Sequence, residues 1–209
     1  FDMRYETTPM GAVETMMVDC AYSEIGKSLG MPTQAYISLS DAKQLDAQAG
    51  LETGIGATLA ALSGINNISG PGMIDFESCH STEKLVVDNE ICGMTRRLLQ
   101  GIEPKEDFPA RPIFEELLRE THLIIAPHTR KYLREEITFP GPVIDRANRS
   151  RWLEEGGLSL GERASREVER LVSGARPSGL PEEVKRAMTE RMEHEAGRWG
   201  MERLPAREA

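Results

Sequence analysis

The densest set of reactive side chains in the 209-residue chain lies in one stretch, Gly70-Pro71-Gly72-Met73-Ile74-Asp75-Phe76-Glu77-Ser78-Cys79-His80-Ser81. From Asp75 to Ser81 it offers two carboxylates, a thiol, an imidazole and two hydroxyls, beside glycines that admit close backbone approach. A carboxylate can offset the charge of a cation, and an imidazole can hydrogen-bond an anionic group. Glu77 and His80 are therefore the main catalytic candidates, with Asp75 and Cys79 beside them. A second polar stretch, Ser40 to Gly50, contributes Asp41, Lys43, Asp46 and Gln48.

Each of these residues also has a plainer reading. His80 can satisfy a backbone carbonyl or sit in solvent, and Cys79 can be an inert cysteine, since no activating partner is visible beside it. Asp75 and Glu77 can cap the approach to a helix, and Ser81 fits the cap of the helix that follows. Gly70-Pro71-Gly72 matches neither a dinucleotide fingerprint nor a P-loop. His128 precedes Thr129-Arg130-Lys131 and reads as a capping neighbour; His122 and His194 carry no signal.

The elements that must hold these stretches alternate between strand and helix. Phe1–Arg4 reads as the tail of a strand, and Thr8-Pro9 as the start of a helix with Thr as cap. Val13, Met17, Ala21, Ile25 and Leu29 recur every fourth residue, laying an apolar stripe along that helix until Gly30 and Pro32 end it. Gln34–Leu39 and Ile65–Ser69 are strand candidates. The helix between them carries Leu51, Ile55, Leu59 and Leu62, and its small residues Gly54, Gly56, Ala57, Ala60 and Ala61 predict close approach to neighbouring backbone. A long helix after Ser81 carries Val87, Ile91, Met94, Leu98 and Ile102. This alternation argues for parallel β-α units rather than hairpins. Chemistry in such folds collects in loops after the carboxyl ends of strands, which is where Arg4–Thr8, Ser40–Gly50 and Gly70–Ser81 fall.

Beyond Gly101 the pattern turns helical: Phe108–Glu120, Thr129–Glu136, a segment opened by the Ser159/Glu162 capping-box pair, and a last helix from Pro181 with the stripe Val184, Met188 and Met192. His122–Ala126 fits strand or helix, and Thr138–Arg146 is irregular. The expected organisation is β-α units over 1–102, a helical region over 103–195 packing on them, and a frayed tail over 196–209.

Composition narrows the function classes. The 34 acids and 25 bases give a net charge of −9, which disfavours a reader of nucleic-acid phosphates. Residues 1–102 hold 13 acids and 6 bases, and 103–209 hold 21 and 19, so charge concentrates in the second half. No apolar run is long enough to span a membrane. Three widely spaced cysteines, Cys20, Cys79 and Cys92, fit a reducing cytosol better than a disulfide framework or a structural zinc site. The chain opens on Phe1 in mid-pattern and reads as a piece lacking an N-terminal portion.

Several motifs in one order add to this reading. Asp46-Ala47-Gln48-Ala49-Gly50, Ser69-Gly70-Pro71-Gly72-Met73 and Glu83-Lys84-Leu85-Val86-Val87-Asp88-Asn89-Glu90-Ile91 resemble the trimethylamine/glycine-betaine:corrinoid methyltransferase family. His128-Thr129-Arg130-Lys131, Phe139-Pro140 and Val143-Ile144-Asp145-Arg146 resemble its C-terminal region. The resemblance runs from about Phe1 to residue 195 and covers only the family's C-terminal portion.

What it implies is the C-terminal part of a TIM (β/α)8 barrel followed by a mostly helical region. The implied reaction moves a methyl group from a methylated amine to the cobalt of a corrinoid (cobalamin) presented by a separate corrinoid protein. No cofactor is then held tightly by the chain itself, and no metal. One branch of the family carries pyrrolysine and uses trimethylamine; none of these 209 residues is pyrrolysine, and members without it go with quaternary amines such as glycine betaine. Under this reading Glu77 and His80 are the principal polar groups, Asp46, Gln48, Asp75 and Cys79 line the amine pocket, and Gly70 and Gly72 face the cofactor. A homo-oligomer is left open. The alternatives are a non-catalytic interaction module built on the charged second half, and a metal-dependent hydrolase using Asp75, Cys79 and His80.

Overall fold

A computed structural model describes residues 1–105, 108–176 and 179–205. The chain forms two compact units, Phe1–Arg170 and the residues from Leu171 onward. Residues 206–209 of the expected frayed tail lie outside the described residues.

The first unit opens with α1 (Val13–Ser28), β1 (Gln34–Ala35), α2 (Ala47–Leu62) and β2 (Asn67–Ile68). β1 and β2 pair in parallel, Gln34 with Asn67 and Ala35 with Ile68, so α2 is a crossover of the kind parallel strands require. The ladder is much shorter than the candidate strands, although Ile37, Ser38, Leu39 and Ser40 beyond it are all buried. The Phe1–Arg4 strand is corrected to a turn: Asp2 and Thr7 form one antiparallel bridge, and the Asp2 carboxylate accepts from the Arg4 main-chain and guanidinium N–H groups.

Gly70–Ser81 is not an open loop. β3 (Met73–Ile74) and β4 (Cys79–His80) form an antiparallel hairpin, with Met73 opposite His80 and Ile74 opposite Cys79. The expectation of parallel units without hairpins fails here. The hairpin lies along the chain leaving β1, where the Ser40 N–H donates to the Met73 carbonyl at 3.2 Å and the Asp75 N–H to the Ala42 carbonyl at 3.0 Å.

Helix α1 starts at Val13, not at Thr8-Pro9, because the N–H groups of Met10 and Gly11 both donate to Asp41 Oδ1 at 2.9 Å and hold that stretch out of a helix. Its fourfold stripe is not its buried face either. Met16, Asp19 and Ser23 face inward, while Met17 is 64% exposed and Val13, Ile25 and Leu29 are exposed with it. Close approach explains the choice: a Cβ on Gly26 would lie 2.8 Å from the Thr33 methyl. In α2 likewise Ala49, Thr53, Gly56, Ala57 and Ala60 are buried and Leu51 is 63% exposed. Gly56 is required, since a Cβ there would meet the Ser38 nitrogen at 2.8 Å, whereas Gly54 faces open space.

Helix α3 (Thr82–Gln100) is capped as expected by Ser81, whose Oγ accepts from the Lys84 N–H at 3.1 Å. Short helices follow: α4 (Arg111–Glu120), α5 (Pro127–Glu136), α6 (Arg149–Glu154) and α7 (Leu160–Ser173). Phe108–Ala110 lie outside α4, and His122–Ala126 is a turn region, neither strand nor helix. α6, with Asn148 as its cap, has no counterpart in the sequence reading. The Ser159/Glu162 capping box forms in full: Ser159 N–H to Glu162 Oε2 at 2.7 Å, and Glu162 N–H to Ser159 Oγ at 3.3 Å.

One core cluster joins Met16, Ala35, Ile37, Ala60 and Ile65. A second joins Ala57, Val87 and Ile91 to Val143 and Ala164, so part of the later helical region packs on α2 and α3. The irregular Thr138–Arg146 stretch is pinned where the Gly141 N–H donates to both Glu90 carboxylate oxygens, at 3.1 and 3.0 Å. In the second unit α8 (Glu182–Arg198) starts after Pro181 as expected, but its stripe of Val184, Met188 and Met192 is exposed. Among the described residues, no helix is long and apolar enough to cross a membrane.

Candidate functional site

The two hydrogen bonds between the Ser40–Ala42 segment and the hairpin bring the two polar stretches of the sequence side by side, beyond the end of β1. The first stretch is braced from α2. Glu52 Oε2 accepts from the Ser40 hydroxyl at 2.5 Å and the Asp41 N–H at 2.8 Å, and its other oxygen accepts from Gln48 Nε2 at 2.9 Å. Burial pushes the Asp41 carboxyl up; its bonds from Gly11 and Met10 oppose that shift, and the charge of Glu52 adds to it.

Lys43 projects from this braced segment toward the hairpin. Its Nζ donates to the Asp41 carbonyl at 2.6 Å, lies 3.6 Å from Asp75 Oδ1 and sits 3.9 Å from the centroid of the Phe76 ring. The turn that presents these groups is strained: Asp75, Phe76 and Glu77 have φ of 53°, 55° and 72°. Three consecutive non-glycine residues in the left-handed region carry a conformational cost of order 1–3 kcal/mol each. Such a turn persists because its flanks are fixed, here by the hairpin ladder and by the Asp75–Ala42 bond.

Glu77 points inward from the turn. Its Oε1 is buried without a hydrogen-bond partner, as is Oδ2 of Asp19 on α1. Burial raises the Glu77 carboxyl above its ordinary range and the charge of Asp19 raises it further. Burial likewise raises Asp19, with the neighbouring Tyr22 hydroxyl opposing the shift.

The other candidates are placed differently. His80 is exposed, with its imidazole lying over Gly72: a Cβ on Gly72 would fall 2.4 Å from His80 Nε2. Gly72 also has φ +87°, and its N–H donates to Asp88 Oδ2 at 2.7 Å. A Cβ on Gly70 would fall 2.2 Å from the Ile37 carbonyl oxygen. The space beside both glycines is thus filled by the chain's own groups. Asp46 caps α2, accepting from the N–H groups of Gln48 at 2.9 Å and Ala49 at 3.2 Å. Cys79 is exposed. Asp75, Cys79 and His80 do not converge as a metal-holding group, and among the described residues no three His, Cys, Asp or Glu side chains do.

Two further features escape a reading of the sequence. Phe76 supplies the aromatic face, yet between Asp75 and Glu77 it has no periodicity to mark it. Beneath the hairpin, Lys84 and Asp88 form a fully buried ion pair at 0% and 1% side-chain exposure, in which Lys84 Nζ also donates to Thr53 Oγ1 at 2.9 Å. The i,i+4 spacing of Lys84 and Asp88 on one helix was a signal available in the sequence, but it does not reveal burial. Burial raises the Asp88 carboxyl, opposed by its bonds from Gly72 and Lys84.

The family profile described as trimethylamine methyltransferase (MTTB) matches residues 1–197. Trimethylamine methyltransferase MttB of Methanosarcina thermophila is 31% identical over 170 residues, which cover 80% of this chain and 34% of that protein. Trimethylamine methyltransferase MttB of Desulfitobacterium hafniense (strain DSM 10664 / DCB-2) is 27% identical over 94% of this chain and 40% of its own length. The glycine betaine methyltransferase of Desulfitobacterium hafniense (strain Y51) is 28% identical over 88% of this chain and 38% of its own length. The chain therefore spans 34–40% of the length of these relatives.

Proposed function

The chain belongs to the trimethylamine methyltransferase (MTTB) family, and from that premise we propose that it is part of an enzyme moving a methyl group from a methylated amine to the cobalt of a corrinoid carried by a separate protein. In this reading the parallel β1–α2–β2 unit is a segment of a TIM (β/α)8 barrel, and the paired polar stretches lie at the carboxyl-end rim where such barrels place their chemistry. The observation that carries the proposal is the docking of Ser40–Ala42 against the hairpin, which gathers Lys43, Asp75 and Phe76 at that end of β1.

Moving a methyl group from an ammonium leaves the bonding electron pair on nitrogen, so the amine departs neutral. A quaternary substrate needs no prior protonation for this. A reduced corrinoid supplies the nucleophile when its carrier protein docks, so no side chain of this chain has to attack. The task left to the residues here is to hold the N-methyl group in line and exclude water, which is a matter of orientation. Asp75 and Phe76 face the cationic end, and Glu77 follows them in the turn, half-buried with its Oε1 enclosed. His80 and Cys79 stand exposed on the same hairpin, Gln48 braces Glu52, and Asp46 fixes the start of α2. Gly70 and Gly72 shape the turn, since their Cβ space is occupied from within.

The exposed charges of the later helices speak against the interaction-module alternative. Many are paired along their own helix, as in Arg111–Glu115, Arg151–Glu155 and Arg170–Glu167. The test is to combine the full-length gene product with a corrinoid protein and reduced cobalamin, then follow methyl–cobalt absorbance across a panel of methylated amines. Methylation with at least one amine is expected; none with any amine rejects the reading.

A further inference from the structure

We infer that the Lys43 ammonium occupies a built site for a methylated ammonium group, formed by the Phe76 ring and the Asp75 carboxylate, and that the ligand enters by displacing it. The choice of ligand rests on the amine reading above; the site rests on its own geometry.

An ammonium 3.9 Å from a ring centroid is in close cation–π contact, and Asp75 Oδ1 at 3.6 Å supplies a counter-charge outside hydrogen-bond range. Neither contact needs an N–H group. Only the bond to the Asp41 carbonyl at 2.6 Å does. A trimethylated or tetramethylated nitrogen can thus use two of the three contacts held by Lys43.

The balance of solvation favours the exchange. A primary ammonium is compact and strongly hydrated, and the Lys43 side chain is 60% exposed, so its head group can swing back into water. A methylated ammonium is the type of cation that aromatic faces recognise. The turn also aims the ring: Phe76 is the middle of the three left-handed residues, and its flanks are fixed to Ala42 and by the β3–β4 ladder. Ring and carboxylate therefore stay in place when Lys43 leaves. Lys43 acts as a specificity-determining residue, because a cation must outcompete an internal primary ammonium to bind.

The probe is tetramethylammonium, titrated calorimetrically into the full-length gene product, with ammonium chloride as control. Lys43→Met should tighten tetramethylammonium binding about two- to fivefold by removing the competitor. Phe76→Leu should weaken it about five- to thirtyfold, and Phe76→Tyr, which keeps the ring, should restore it. Ammonium itself should bind none of the variants measurably. Circular dichroism establishes that each variant is folded. Unchanged or weaker binding in Lys43→Met, or wild-type binding in a folded Phe76→Leu, overturns the inference. Methyl transfer by the wild type together with either of those outcomes would sink the displacement and leave the activity standing. The expected binding pattern without methyl transfer from any amine would do the reverse.

Discussion

Lys84 and Asp88 show how strongly a single residue's surroundings decide its role. Asp88 Oδ2 accepts from both Gly72 N–H and Lys84, and Lys84 also reaches Thr53, so one pair ties the hairpin's entry, α2 and α3 together. Removing one charge leaves the other buried without its partner, which costs about 3–5 kcal/mol. Asp88→Asn and Lys84→Met should each lose roughly that much stability in urea unfolding. The double variant, with no buried charge and an Asn oxygen still facing Gly72, should cost well below the sum of the two. Asp19 and Glu77 make the opposite case. Their folded carboxyls are raised by burial, so the folded state holds these protons more tightly than the unfolded chain does. Their stabilising contribution is present below the ordinary carboxyl range and is lost as pH rises through the raised folded values. Asp19→Asn and Glu77→Gln should therefore raise the melting temperature at neutral pH and leave it little changed in acid. A larger gain in acid than at neutral pH in thermal melts would contradict this.

At the scale of elements, one contact sets the shape of the site and two set helix starts. Gly70 packs directly on the Ile37 carbonyl, and backbone cannot move aside as a side-chain tip can. Gly70→Ala should cost about 1–3 kcal/mol through overpacking and should disturb the hairpin, visible as lost amide-exchange protection at Met73 and Ser40. Ser159 opens α7 through a reciprocal pair of bonds with Glu162. Ser159→Ala should cost about 1 kcal/mol in chemical unfolding without altering ligand binding. The capping box was legible in the sequence, because it depends on residues three positions apart. The start of α1 was not, because Asp41 decides it from 30 residues away.

Across the molecule, the apolar stripes of α1 and α2 lie largely on the exposed side: Val13, Met17, Ile25 and Leu29 on one helix, Leu51, Ile55 and Leu62 on the other. Exposed apolar surface of this extent drives association. The 209-residue chain expressed alone should associate with rising concentration, and Met17→Glu with Leu51→Glu should suppress it in static light scattering by several-fold in apparent mass. No change would mean these faces are not the source.

By itself the sequence determined the β-α order, the parallel crossover from β1 to β2, the Ser81 cap, the small-residue packing of α2 and the family. These rest on periodicity, caps and ordered motifs, all local signals. Only the tertiary structure decided which helix faces are buried, that Gly70–Ser81 folds into a hairpin, and that Lys84 is hidden while His80 is exposed. Burial is fixed by what a helix or strand packs against, and an apolar stripe cannot report whether a neighbour covers it. The meeting of Lys43 with Phe76 depends on two backbone hydrogen bonds between segments some thirty residues apart. Pairing of that kind is chosen by the fold, because any exposed carbonyl and N–H could in principle be partners until packing selects them.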